Sequence, residues 1–239
     1  MVAIENLTPN IFDPAILPSA KRIQKLLLPG SDCAMHSVMS LERAGLEQYI
    51  AAKFRAVYGA ELSEFLPQLM GLKCHGRFSA AVGIRHGSHE PLFVEQYLDQ
   101  PIEQTMLQRL QNRINRNDIA EIGNLVSNWR GASQLLFVLL AGALHKAGFK
   151  WVVFTATEEV EHLIEKARFS PITICKADPE RLGEERAKWG TYYDTNPHVL
   201  AGDLDGALQH VLENRLLSFV YESYADTIDV LALQLSSQR

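Results

Sequence analysis

DIAEIGNLVSNWRGASQLLFVLLAGALHKAGFKWVVFTAT, running from Asp118 to Thr157, is the stretch that decides the fold. Its first nine apolar-rich residues read as a strand. Simple alternation predicts Ile119, Glu121, Gly123 and Leu125 on one face and Ala120, Ile122, Asn124 and Val126 on the other. Ser127 to Gly131 turns the chain into a helix whose first N–H groups have no partner within the helix, an end that favours a phosphate or a polarised carbonyl. From Leu135 to Leu144 that helix is apolar almost all round, so it should be packed on more than one side. Gly148 ends it, and Trp151 to Thr155 reads as a buried parallel strand reached by a right-handed crossover. The unit is β-α-β.

Composition narrows the function. The chain has 239 residues, 47% of them hydrophobic, enough for a sizeable core. Its 23 basic and 28 acidic residues leave a net charge of -5, without the basic balance that marks nucleic-acid binding. Cys33, Cys74 and Cys175 are odd in number and lack a C-x-x-C spacing, which argues against a disulfide framework or a zinc site and fits a reducing cytoplasm. The start, MVAIENLTPNIFDPAILPSAKR, places acidic residues and prolines before any apolar run, unlike a secretory signal. No apolar stretch reaches the roughly 20 residues of a membrane-spanning helix. The expectation is a cytoplasmic protein with no transmembrane segment.

Along the chain, residues 1–34 read as an irregular N-terminal arm with a short helix over Ser19–Leu28. His36–Leu41 alternates weakly as a first strand. Leu46, Ile50, Phe54 and Tyr58 then recur at helical spacing until Gly59. Leu69–Cys74, Phe78–His86 and Leu92–Tyr97 read as an antiparallel meander. His86 and His89 fall in a polar turn without a third ligand, so no metal site is expected. Pro101 opens a helix to about Arg113 with Asp99 as its cap. Later come a helix over Glu158–Arg168, a strand at Ile172–Lys176, a helix over Pro179–Lys188, an aromatic turn at Trp189–Asp194 and a last strand at His198–Gly202. From Asp205 to Leu235 the chain is helical, and residues 206–239 form an extension packed on the domain or against a second copy in a homodimer.

Six blocks in order carry a family resemblance: FRAVYGAELSEFLP (Phe54–Pro67), AAVGIR (Ala80–Arg85), PLFVEQYLDQPIE (Pro91–Glu103), IAEIGNLVS (Ile119–Ser127), WVVFTAT (Trp151–Thr157) and WGTYYDTNPHVLAG (Trp189–Gly202). Residues 36–205 resemble the thermostable hemolysin (delta-VPH type) family, itself similar to acyl-homoserine-lactone synthases and GNAT N-acyltransferases. The resemblance implies an α/β fold of GNAT type over residues 35–205, a central twisted mixed sheet flanked by helices. It also implies an acyl-CoA or acyl-carrier-protein thioester as co-substrate, no tightly bound cofactor, and a small amine as acceptor.

In GNAT enzymes the splayed end of the fourth strand, here Leu125 and Val126, pairs with the pantetheine arm, and a Gln/Arg-x-x-Gly-x-Gly/Ala loop binds pyrophosphate. The matching loop runs from Asn128 to Ser133, with Arg130, Gly131, Ala132 and Ser133 as donor-binding candidates. Asn at its first position and Ser at its last depart from that pattern and leave room for a carrier protein.

Glu121 is the leading catalytic candidate, because a carboxylate among Ile, Ala, Gly, Leu and Val is costly unless paired or used. The resemblance places it on a glutamate of the lactone synthases, whose arginine position holds Asn124 here. Arg85 is the candidate ion partner of Glu121. Glu95 and Asp99 are candidates to share its pocket, Glu95 as a second catalytic carboxylate. Thr155 and Thr157 end a strand where open α/β sheets place ligands. Trp189, Tyr192 and Tyr193 offer aromatic walls. The resemblance to the lactone synthases, in which an early arginine-and-aromatic helix covers the substrate, points to Arg43, Phe54 and Tyr58, with Phe54 and Tyr58 otherwise ordinary core residues. Three readings remain open: an N-acyltransferase, a membrane-active protein as the family name implies, and a non-catalytic acyl-thioester-binding module.

Overall fold

The computed structural model describes residues 2–4, 30–88, 91–166 and 169–237. Within them, eight strands form one mixed sheet: β1 (Val2–Ile4), β2 (Ser31–His36), β3 (Gln68–Cys74), β4 (Arg77–His86), β5 (Ile119–Ser127), β6 (Trp151–Ala156), β7 (Ile172–Lys176) and β8 (His198–Asp203). The order is β2-β3-β4-β5-β6-β8-β7, with β1 paired separately to β5. All neighbours are antiparallel except β5 with β6 and β1 with β5. The helices are α1 (Arg43–Tyr58), α2 (Ile102–Leu110), α3 (Arg130–Lys146), α4 (Glu158–Lys166), α5 (Leu204–Glu213), α6 (Arg215–Ser223) and α7 (Ala225–Ser236).

Each sheet face has its own core. On one, α3 lies between the sheet and α5–α7, and Leu135, Leu139, Val220 and Leu231 are buried in a single cluster. This is why α3 is apolar all round. Gly142 lets the later helices come close, since a Cβ there would stand 2.8 Å from the Tyr221 ring. On the other face, Leu46, Ile50 and Phe54 of α1 pack with Ile102, Met106 and Tyr192.

Two features of β5 shape the site. Pairing of β5 with β6 stops at Glu121 opposite Val153, after which the two parallel strands part. The vacated edge of β5, Leu125 to Ser127, pairs instead with β1. On its other edge, β5 carries one extra residue against β4: Gly83 faces Gly123 while Ala81 faces Val126. Asn124 takes up that residue in the left-handed region, at φ 51. Such a bulge bends its strand and increases the local twist.

The bulge overturns the alternation expected from sequence. Ile119 and Glu121 face one side, but beyond the bulge it is Asn124 and Val126 that share that side, while Leu125 turns to the face of Ile122. Other expectations also change. The strand expected at His36–Leu41 is instead β2 at Ser31–His36, so the N-terminal arm contributes β1 and ends inside the sheet, and Val38, Met39 and Leu41 lie exposed in the loop that follows. Phe93–Tyr97 is a 3-10 turn rather than a strand. Pro101 itself caps α2, and Asp99 pairs with Arg181 at 2.6 Å on the surface. The segment Pro179–Trp189 is 3-10 in character and breaks at Gly183. The helix expected over Ser19–Leu28, and His89, lie outside the described residues.

Candidate active site

Glu121 sits on β5 at the last rung before the strands part, 2% exposed. Its Oε1 accepts from the Val94 N–H at 2.8 Å, at the start of the Phe93–Tyr97 turn. Its Oε2 has no hydrogen-bond partner. Arg85, directly opposite on β4, brings Nη1 to 3.8 Å from that oxygen and donates the same nitrogen to the Pro91 carbonyl at 3.0 Å. Burial pushes the Glu121 carboxyl above its ordinary value, partly offset by the Phe93 and Val94 N–H groups and by Arg85. A carboxyl with a raised pKa and one buried oxygen that accepts no hydrogen bond has the properties of a general base.

Glu121 opens into a cavity of about 360 Å³ that Arg85, Asn124, Thr155 and Trp189 also line. The Thr155 hydroxyl, 1% exposed, is a second buried polar group without a hydrogen-bond partner. Asn124 reaches the cavity through the bulge, and its Oδ1 accepts from the Leu66 N–H at 2.9 Å. Gly83 makes room for it, since a Cβ there would lie 2.8 Å from that oxygen.

The remaining sequence candidates fall elsewhere. Glu95 lines a separate surface depression and holds Arg116 at 2.6 Å. It also accepts from the backbone N–H groups of Leu92 at 2.8 Å and Ile102 at 3.0 Å. Burial pushes its carboxyl up, but Arg116 and the two N–H groups outweigh this and hold it below the ordinary value. Glu95 therefore braces the turn that aims Val94 at Glu121 and does not share the cavity. Asp99 lines the same separate depression. Thr157 stands just before α4 and accepts from the Val160 N–H of its first turn at 3.3 Å. Tyr192, fully buried, donates to the Thr155 carbonyl at 3.3 Å, and Tyr193 shares a hydrogen bond with the Tyr97 hydroxyl. Phe54 is core, Tyr58 packs edge-on against Tyr192 at 5.1 Å, and Arg43 ties α1 to the carbonyls of Leu66 and Pro67 at 2.9 and 2.7 Å.

At the start of α3, the Asn128 side chain is already committed, accepting from Tyr49 at 3.0 Å and donating to the Phe78 carbonyl at 3.1 Å. The Trp129 ring lies over Gly131, where a Cβ would come within 2.1 Å of it. Ala132 is buried and Ser133 partly so, and α3 begins at Arg130. Leu125 and Val126 present their free backbone edge to β1. No group of three or more metal-ligating side chains occurs among the described residues.

Sequence reasoning left Glu61, Glu64, Phe65 and Phe93 unassigned, and all four line the cavity. The block Phe54–Pro67 carried the resemblance, but its irregular part, Ala60 to Leu66, gave no periodic signal to place it over β5.

The thermostable hemolysin family profile matches residues 37–208. The chain belongs to the thermostable hemolysin family. No curated protein matches the sequence. Among solved structures, the chain is similar to the AHL synthase LasI at 11% identity and a TM-score of 0.51, over 73% of this chain and 90% of that one. It is similar to FeeM, an N-acyl amino acid synthase from uncultured soil microbes, at 12% identity and 0.51, over 79% and 98%. For MesI, a CoA-dependent acyl-homoserine lactone synthase, the values are 10% and 0.50, over 81% and 95%. At such identities the likeness establishes a shared GNAT-like fold. No helix among the described residues of this family member is long and apolar enough to cross a membrane.

Proposed function

We propose that this protein is an N-acyltransferase that moves a fatty acyl group from a CoA or carrier-protein thioester to a small amine. The observation that carries the reading is Glu121: a buried carboxyl with one oxygen that accepts no hydrogen bond, in a cavity at the point where two parallel strands part. Glu121 takes the proton as the amine attacks the thioester carbonyl, and the thiol leaves. The Thr155 hydroxyl supplies a donor for the carbonyl oxygen as it gains charge.

A second cavity supports the fatty acyl assignment. It measures about 330 Å³, and Phe137, Leu140, Leu144, Phe154 and Phe169 give it an apolar lining. Ile122 borders both cavities, so an acyl chain passing between the parted strands beside it would enter an apolar chamber. The commitment of Asn128 and the cover of Trp129 over Gly131 favour a carrier-protein donor, whose single phosphate needs less of a cradle than CoA.

Thermal unfolding against CoA, short and long acyl-CoAs and acyl carrier protein thioesters tests the donor. A ligand specific for the folded state stabilises by about 2.7 kcal/mol at roughly a hundred times its Kd. Stabilisation that grows with chain length, together with amine-dependent thiol release, is the expected result. A well-folded sample that no thioester shifts sinks the assignment.

A further inference from the structure

The cavity around Glu121 has a wall that acyl transfer by itself does not require. Three carboxylates, Glu61, Glu64 and Glu185, line it at exposed positions, and Lys188 is drawn onto Glu185 at 2.5 Å. Among the described residues no ion pair within 4 Å holds Glu61 or Glu64, although the Lys188 charge also acts on Glu64. With Glu121 ionised, four lining carboxylates stand against two lining cations, Arg85 and Lys188, which leaves the wall two charges negative. The rings of Phe65, Phe93 and Trp189 line the same space, Phe93 and Trp189 with centroids 5.7 Å apart at 60°. Aromatic faces attract cations, Trp most strongly. At the bottom lie Glu121 Oε2, which has the Arg85 guanidinium at 3.8 Å but accepts no hydrogen bond, and Thr155 Oγ1, also without a hydrogen-bond partner, both in side chains that are almost fully buried.

We propose that the acceptor is an amine carrying a second positive charge, of the diamine or polyamine class. The inference rests on the acyl-transfer reading and deepens it. The reacting nitrogen sits at Glu121 and Thr155, and the second ammonium sits between the ring faces and the carboxylates of Glu61 and Glu64. Transfer forms the amide C–N bond and breaks the thioester C–S bond. Glu121 takes the amine proton and passes it to the departing thiolate, which leaves as the free thiol, and the distal charge stays in place throughout. An acceptor bearing a carboxylate would bring a negative group against a negative wall.

Three amines of similar reach separate the cases: 1,5-diaminopentane, pentylamine and 6-aminohexanoate, whose far ends are positive, neutral and negative. Thiol release is followed with the best thioester from the unfolding screen, and diamine binding is measured separately by calorimetry. The expected KM for the diamine is about tenfold below that of pentylamine and rises with salt, with 6-aminohexanoate the poorest substrate. The double variant E61Q/E64Q is expected to raise the diamine KM about tenfold and narrow the gap to pentylamine. Thiol release at equal KM for all three amines overturns the cation site and leaves acyl transfer standing. Diamine binding that E61Q/E64Q abolishes, with no thiol released from any thioester, removes the reaction and keeps the cation site.

Discussion

Glu121 and Asn124 point into the same cavity although they lie three positions apart on one strand, where a regular strand would send them to opposite faces. The extra residue at the bulge, with Asn124 at φ 51, makes this parity break. The site exists because the strand is irregular there.

Glu121→Gln keeps an acceptor for the Val94 N–H and removes the base. Amine-dependent thiol release should fall by about a hundredfold or more. Because burial raises this carboxyl above 4.5, the folded protein holds the proton to higher pH than the unfolded chain does. The resulting cost to stability is absent at low pH, appears as pH rises from about 4.5 through the folded value, and is complete above it. Denaturant melts at neutral pH should therefore find the variant at least as stable as the parent. In activity, kcat/KM of the parent should drop as pH falls through that raised value. An acid limb centred at or below 4.5 would contradict the assignment.

Asn124→Ala loses a side chain suited to the left-handed region and leaves the Leu66 N–H without its acceptor. A stability loss of about 1–3 kcal/mol is expected, with a larger proportional loss of turnover. Asn124→Gly spares the backbone and should recover part of the stability without the hydrogen bond. Equal stability in all three proteins would show that the bulge needs no side chain.

Gly83→Ala tests the other half of the same contact. Its Cβ would lie 2.8 Å from Asn124 Oδ1 and 2.9 Å from Leu66 Cβ, so one of the two must shift. Overpacking of this kind costs about 1–3 kcal/mol. Urea titration should register it, and kcat should fall as Asn124 leaves the cavity wall.

Glu95→Gln distinguishes bracing from chemistry. The Glu95 carboxyl is held below its ordinary value of 4.5, so its stabilisation is present above that pH and lost as pH falls through the folded value. Substitution should cost about 1–3 kcal/mol at neutral pH, because charged hydrogen bonds to Arg116 are lost. The acid limb of kcat/KM should stay where Glu121 sets it. Movement of that limb would return Glu95 to a catalytic role.

Deleting Val2–Ile4 frees the β5 edge from Leu125 to Ser127. If an extended amide-bearing donor arm pairs there, the shortened protein should show a donor KM several-fold lower than the full chain. A rise in KM measured with the same thioester would place the donor elsewhere.

The β-α-β unit from Ile119 to Ala156 was legible in the sequence because each part carries its own period: a short apolar strand, a long apolar helix, a glycine stop, then WVVFT. Glu121 was legible too, as a charge in an apolar strand is costly wherever the strand packs. Tertiary structure decided the rest. A bulge depends on the register with β4, where Gly83 and Asn124 must meet, and no local pattern encodes that register. Glu95 was a candidate to share the pocket of Glu121, but Arg116, 21 residues away along the chain, holds it outside. The aromatic and acidic wall joins residues 61–65, Phe93 and Glu185–Trp189, which approach one another only when the sheet is complete. Local periodicity reports what a segment buries. It does not report which distant segments share a cavity, because that is set by long-range pairing and packing.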